Sequence, residues 1–458
     1  MRKPQQSRPE IADTARHPDA ALTDRWSWVE RSVWTTRMLT ALEQGVKGGK
    51  WHSLIDKVYK AQNLHAAYQR VAANNGSPGV DGVSVARYAD HLQHNQTTLA
   101  ESLRAGSYRP KPARRTYIEK RGSRTKRPLG IPCVRDRVAE TALKHVLEPI
   151  FEATFADTSY GFRPGRSCHD ALRVVETCLH SGYTHIVDAD IKGYFDNIDQ
   201  SLLMTELRKQ IGDGRILDLL ELYLQRGIFD GLAYWQPEDG VPQGAVISPL
   251  LANVFLNPFD WYMQSQGIQL VRYADDFVLL CRSAAEAERA LELTRQWMED
   301  HQLTLHPDKT CLVDMTQHRA SFTFLGYEFL HNVNRRGQSR LLKLTGRKAD
   351  AQIRENIRNR TPRLHGASLD QIIADLNRYL RGWYGYFKHC FKSVFPIYDG
   401  MLRRRLRRIL RKRHKKHKGS GTCLTDHERW PNSFFAEHGL FSLVDAHASD
   451  CQSFRRTH

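Results

Sequence analysis

The spacing of hydrophobic positions changes several times along the chain, and each change marks an element. Trp34, Met38 and Leu42 recur at helical intervals, and Gly45, Gly48 and Gly49 end that helix. Residues 53–73 predict a second amphipathic helix, followed by a loop at Asn74-Asn75-Gly76-Ser77-Pro78-Gly79. Residues 108–131 predict a strand, a turn and a strand. Val138, Leu143, Val146, Leu147 and Ile150 then share one face of a long helix. Tyr183 to Ile191 predicts a strand ending in Asp188-Ala189-Asp190, and helices follow over 200–226. Val271-Arg272-Tyr273 and Phe277-Val278-Leu279-Leu280 are short β-type runs flanking Ala274-Asp275-Asp276. That pattern predicts a tight hairpin with acids at its tip. A helix is expected over 284–300 and a strand over Phe322 to Leu330. After residue 345 helices dominate. Leu376, Tyr379, Leu380, Trp383, Tyr384 and Phe387 form a stripe expected to be helix core.

Composition sharpens this picture. A length of 458 residues suggests about three domains. Lys plus Arg is 68 and Asp plus Glu is 50, so the formal net charge is +18, which favours a polyanionic partner such as nucleic acid. The eight cysteines are scattered, with no close pair for zinc, as expected for reduced thiols. Residues 1–25 read as a disordered polar tail without a signal-peptide core. No apolar run is long enough to predict a membrane span. A cytosolic protein is expected.

The acids suggest a specific chemistry. Joining a nucleotide to a 3′-hydroxyl requires charge neutralisation on the attacking and leaving oxygens, which two metal ions accomplish together. Hard cations such as Mg2+ prefer carboxylate and phosphate oxygens. Asp275 and Asp276 at a hairpin tip, facing Asp190 at the end of another strand, would supply such carboxylates. Adjacent carboxylates resist joint ionisation unless a cation lies between them.

Several motifs then fall in order. Asp190-Ile191-Lys192-Gly193-Tyr194-Phe195-Asp196-Asn197-Ile198, Val241-Pro242-Gln243-Gly244, Ser248-Pro249-Leu250-Leu251-Ala252-Asn253, Tyr273-Ala274-Asp275-Asp276-Phe277 and Phe324-Leu325-Gly326-Tyr327 closely resemble the palm motifs of reverse transcriptases. Arg127-Pro128-Leu129-Gly130-Ile131-Pro132 and Tyr160-Gly161-Phe162-Arg163-Pro164-Gly165-Arg166-Ser167 resemble the fingers of proteins encoded by bacterial group II introns. The resemblance implies an α+β right-hand polymerase, with fingers and palm built of antiparallel sheet and helices and followed by an α-helical thumb. The expected divisions are an N-terminal extension and fingers over 26–180, a palm over 181–335, a thumb or maturase domain over 336–418 and a short DNA-binding-like end over 419–458.

The same resemblance implies residue roles. Asp190, Asp275 and Asp276 would be catalytic and, with the Ile191 carbonyl, would hold two Mg2+ ions, for which Mn2+ could substitute. Lys120, Lys126 and Arg127 would meet the triphosphate of a dNTP, with Lys126 and Arg127 as rivals. Phe195 would exclude a ribose 2′-hydroxyl by its bulk. Gln243 would contact nucleotide or template, and Lys309 would stand near the leaving pyrophosphate. Phe324, Leu325, Gly326 and Tyr327 would position the primer end.

Residues 401–418 carry eleven Lys or Arg and no acid, a run that would repel itself without phosphates nearby. Arg403, Arg404, Arg407, Arg408, Arg411, Lys412 and Lys415 are therefore expected to bind RNA. The resemblance implies as partners intron RNA or an RNA template, a DNA primer and target DNA, and dNTPs, and as setting a bacterial cytoplasm in association with the nucleoid or a ribonucleoprotein. Cys423 and Cys451 stand alone, and no paired-cysteine nuclease domain is recognised, which suggests the compact class C type. Alternative readings are a host-recruited reverse transcriptase in defence or repair and a splicing-only RNA-binding maturase.

Overall fold

The computed structural model describes residues 25–457, apart from 47, 120–125, 232, 335–336 and 415–423. The strands are β1 (Ala113–Glu119), β2 (Lys126–Ile131), β3 (His185–Asp190), β4 (Ile228–Asp230), β5 (Ala233–Trp235), β6 (Gln269–Tyr273), β7 (Asp276–Cys281), β8 (Cys311–Asp314), β9 (Ser321–Phe324), β10 (Tyr327–Val333) and β11 (Ser339–Thr345). They form three sheets, ordered β2-β1-β4-β5, β6-β7-β3-β8 and β11-β10-β9. With the helices around them, this is an α+β architecture.

The first predicted helix spans Thr36–Gln44. The Thr35 hydroxyl caps it and Gly45, at φ 83°, ends it. The expected helix over 53–73 is two helices, Ile55–Val58 and Ala61–Asn74. The break at Tyr59-Lys60 lets the Asn63 side chain donate to the Lys57 and Ala142 carbonyls. The expected strand over Phe322 to Leu330 is likewise two, β9 and β10, joined in register by Leu325-Gly326. Both turn residues have positive φ, at 50° and 79°, which matches the twist of a two-residue hairpin.

The helix Val134–Glu152 is the central strut. Its Val138, Leu143, Val146 and Leu147 are wholly buried. It also buries Asp136 and Glu140. Tyr108 and the Lys111 amide donate to Asp136 at 2.7 and 2.9 Å. Glu140 pairs with buried Arg226 and accepts from the Val246 amide at 2.6 Å. Those bonds satisfy charges that burial would otherwise penalise, and they anchor the segment after Pro242-Gln243-Gly244.

The helix Leu369–Phe387 buries the expected stripe, with Leu376, Leu380, Trp383, Tyr384 and Phe387 all inside a second core. The basic helix Val394–Arg413 packs Leu402, Leu406 and Ile409 into that core. No helix among the described residues is long and apolar enough to cross a membrane.

Candidate active site

Strands β3 and β7 pair antiparallel so that Asp190 lies directly opposite Asp276 and Asp188 opposite Val278. Side chains alternate along a strand, so Asp188, Asp190 and Asp276 share one face of the sheet. Ala274-Asp275 forms the two-residue turn between β6 and β7. Ala274 sits at φ 61°, a strained conformation for a residue with a Cβ.

Neighbours hold that strained turn. Arg272, fully buried, donates from Nε to Asp260 Oδ1 at 2.7 Å. The same guanidinium reaches Asn253 Oδ1 at 3.1 Å and the Ala274 carbonyl at 2.9 Å. Asn253 in turn donates to the Gly161 carbonyl at 2.8 Å. Tyr160 adds a backbone bond to the Arg272 carbonyl at 2.9 Å. Gly161 lies so close to the turn that a Cβ there would stand 2.4 Å from the Ala274 nitrogen.

The acids perturb one another. Burial pushes Asp276 up to about 7, with further pressure from Asp188, Asp190 and Asp275. Burial and then Asp190 push Asp188 up to about 7. Asp275 is also raised, chiefly by burial, against a lowering by Arg127 and Lys309. Four clustered carboxylates that resist joint ionisation are a donor set suited to a hard divalent cation. Their side chains are not already converged: among the described residues no three His, Cys, Asp or Glu form a metal cluster. Lys309 Nζ lies 2.5 Å from Asp190 Oδ2, and Asp276 accepts from the Leu325 amide. Residue type and proximity fit a cation, with Lys309 supplying the compensating charge at Asp190.

A cleft of about 530 Å³ opens over this turn. Arg127, Phe195, Gln243, Asp190, Asp275 and Lys309 all line it, and Ile191 does too. Gln243 donates to Asp196 Oδ1 at 2.8 Å. Phe195 is half-buried, its ring set edge-on against Tyr194. Asp276 is not among the lining residues; its carboxylate is turned toward the β9–β10 turn. Lys126 is exposed on β2, on the strand face opposite to Arg127. Lys120 lies outside the described residues.

The β9–β10 turn borders the acids. Phe324 and Tyr327 are fully buried. The Tyr386 hydroxyl donates to the Leu325 carbonyl at 2.8 Å, and the Tyr327 hydroxyl donates to the Tyr386 carbonyl. The turn is thus clamped to the helix Leu369–Phe387.

Residues 118–329 match the family model "Reverse transcriptase (RNA-dependent DNA polymerase)". Protein YkfC of Escherichia coli (strain K12) is 34% identical over 305 residues, covering 58% of this chain and 79% of that protein. The chain belongs to the reverse transcriptase family. Residues 351–427 match "Group II intron, maturase-specific domain". The group II intron-encoded protein LtrA of Lactococcus lactis subsp. cremoris is 37% identical over 199 residues, covering 43% of this chain and 33% of LtrA. An uncharacterised 91 kDa protein in the cob intron of Schizosaccharomyces pombe is 38% identical over 167 residues, covering 36% of this chain and 20% of that protein. The chain therefore spans most of YkfC but a third or less of the other two. Membership implies a divalent-metal requirement and a nucleic-acid partner in general terms.

Two of the arginines expected to bind RNA, Arg407 and Arg411, do not face solvent. Arg407 is 2% exposed and donates to the Trp430 carbonyl and Asn432 Oδ1, each at 2.8 Å. Arg411 pairs with buried Asp426. Their charge tethers the segment after the basic run, because an arginine fork buried without partners would be too costly. Arg404 and Lys412 are exposed, and Arg403 and Arg408 are partly so. Lys415 lies outside the described residues.

Asp188, Gly161 and the Arg272–Asp260–Asn253 network are functional features beyond the site residues expected from the sequence. Asp188 was detectable, since it stands two residues before Asp190 and alternation puts both on one face.

Proposed function

We propose that this chain is an RNA-directed DNA polymerase of a group II intron that also binds the intron RNA to assist splicing and mobility. One observation carries the reading. Asp190 opposes Asp276 across β3 and β7, and Asp275 opens from the same hairpin into a cleft lined by Arg127, Phe195, Gln243 and Lys309.

The geometry supports a division of labour. Asp190, Asp275 and Asp276, with the Ile191 carbonyl, would hold two Mg2+ ions. Those ions would stabilise charge on the attacking and leaving oxygens. Arg127, which lines the cleft, would meet the triphosphate, and Lys120 and Lys126 precede it in sequence. Phe195 narrows the cleft where a ribose would sit, so its bulk favours dNTPs over NTPs. Gln243, held by Asp196, would present its amide to nucleotide or template. Lys309 stands at Asp190 and could release toward the departing pyrophosphate as a proton donor. Phe324, Leu325, Gly326 and Tyr327 form a clamped turn against the acids, suited to holding a primer end.

The exposed Arg404 and Lys412, with the partly exposed Arg403 and Arg408, suit the RNA backbone, where contacts add affinity with little sequence information. The compact class C type and the domain limits at 26–180, 181–335, 336–418 and 419–458 belong to this same proposal. The test is to assay Asp190→Ala for dNTP incorporation and for splicing assistance in parallel. Loss of synthesis with retained splicing supports two separable roles; retained synthesis removes the acids from the mechanism.

A further inference from the structure

The sheet β2-β1-β4-β5 carries an aromatic patch that the cleft does not use. Phe229 on β4 pairs directly with Tyr234 on β5, and Arg114 on β1 lies beside Phe229 in the same row. Register puts these side chains on the same face as Arg127 and Leu129. Arg127 and Leu129 of that face line the cleft, with Pro128 between them. Phe229 is 38% exposed and Tyr234 55%.

The Tyr234 side chain reaches across to Gly227, where an added Cβ would meet its Cε2, hydroxyl oxygen and Cζ at 2.4, 2.5 and 2.6 Å, so glycine leaves the ring its place. The ring nevertheless stays open to solvent. The opposite sheet face differs. There the Arg115 guanidinium covers Trp235 at 5.0 Å and Tyr117 donates to Asp230 at 2.7 Å. Among the described residues no cation or ring covers Phe229 or Tyr234.

We infer that Phe229 and Tyr234 form a stacking platform for the single-stranded RNA template ahead of the cleft, an inference that rests on the reading of the chain as an RNA-copying polymerase. An open aromatic surface suits a template of any sequence, because every base has a stacking face. The platform is continuous with the cleft on one sheet face, in a chain of formal net charge +18. Tyr234 shares a row with Ile131, about 14 Å away across three strand spacings, and cleft-lining Leu129 lies two residues, about 7 Å, further along β2, a diagonal of about 16 Å. That span is the length of about five stacked nucleotides at roughly 3.4 Å each. The platform would hold the template near the fifth unpaired base.

The test compares primer–template duplexes carrying one or eight unpaired template nucleotides. The wild type binds the long overhang more tightly, and a 2-aminopurine at the fifth unpaired position is quenched. Phe229→Ala with Tyr234→Ala lowers affinity for the long overhang on the order of tenfold and abolishes the quenching. The same variant leaves the one-nucleotide template unchanged, and Tyr234→Phe behaves as wild type. Unchanged long-overhang affinity in the double variant overturns the proposal, as would be found if a protein partner covered the patch. Equal loss on both templates also overturns it, since the residues would then be structural. A wild type that binds and quenches but extends neither template instead removes the polymerase reading and leaves the platform standing.

Discussion

Gly161→Ala should cripple catalysis without unfolding the protein. The backbone at Gly161 does not require glycine, since its φ lies outside the left-handed region. The obstacle is contact alone. The added Cβ would stand 2.4 Å from the Ala274 nitrogen and 2.9 Å from the Tyr273 carbonyl carbon. Ordinary contact begins at 3.4 Å, so the two segments must part by about 1 Å (3.4 − 2.4). Both collision partners are backbone, which cannot rotate away. Ala274 is already strained, and its carbonyl is tied to Arg272, so the displacement passes to Asp275. Overpacking of this kind costs about 1–3 kcal/mol in stability. A misplacement of about 1 Å at a reacting centre costs on the order of 100-fold in rate. The assay is single-turnover dNTP incorporation, with thermal unfolding measured alongside. Gly385→Ala is the control, because nothing lies within 4 Å of a Cβ there. It sits within a helix and should raise stability by up to about 1 kcal/mol at full rate. Gly161→Ala with wild-type turnover would refute the claim that this contact sets the catalytic turn.

Other outcomes follow from the same contacts. Arg272→Met leaves Asp260 buried and unpaired, and should cost about 3–5 kcal/mol in urea unfolding. Arg404→Ala should weaken intron RNA binding and lower its salt slope by about one, with an unchanged melting temperature. Arg407→Ala should do the reverse, losing about 2–3 kcal/mol of stability because its bonds to Trp430 and Asn432 disappear. Asp188 and Asp276 are pushed up to about 7 from an ordinary 3.8, so folding takes up protons there. Stability from that uptake is fully present below about 4 and is lost as pH rises to about 7. Melting in EDTA should show that fall; a divalent cation should flatten it, and Asp276→Asn should reduce it.

Legibility in the sequence followed the range of the interactions. The hairpin of β6 and β7, the strand ending at Asp190 and the buried stripe of Leu369–Phe387 are local patterns, and periodicity marks them. The break at Tyr59-Lys60 was not visible, because it answers to Asn63 reaching the Ala142 carbonyl 79 residues away. The split of 322–330 into β9 and β10 was hidden by Leu325, whose positive φ is held by Tyr386 from the following helix. The eleven cations of 401–418 read as one surface. Their helix instead turns Arg407 and Arg411 inward, because Trp430, Asn432 and Asp426 return to meet them. Charge counts carry no information about such distant partners. At the site, Asp190 and Asp275 were readable as chemistry, whereas the Arg272 network behind them is tertiary packing.

The most direct measurement is primer extension on an RNA template with dNTPs and a divalent cation, comparing wild type with Asp275→Ala. DNA product is expected from the wild type and none above background from the variant, because loss of an acid that holds the catalytic cations removes charge stabilisation from both reacting oxygens. Undiminished synthesis by Asp275→Ala would contradict the placement of the active site at this hairpin.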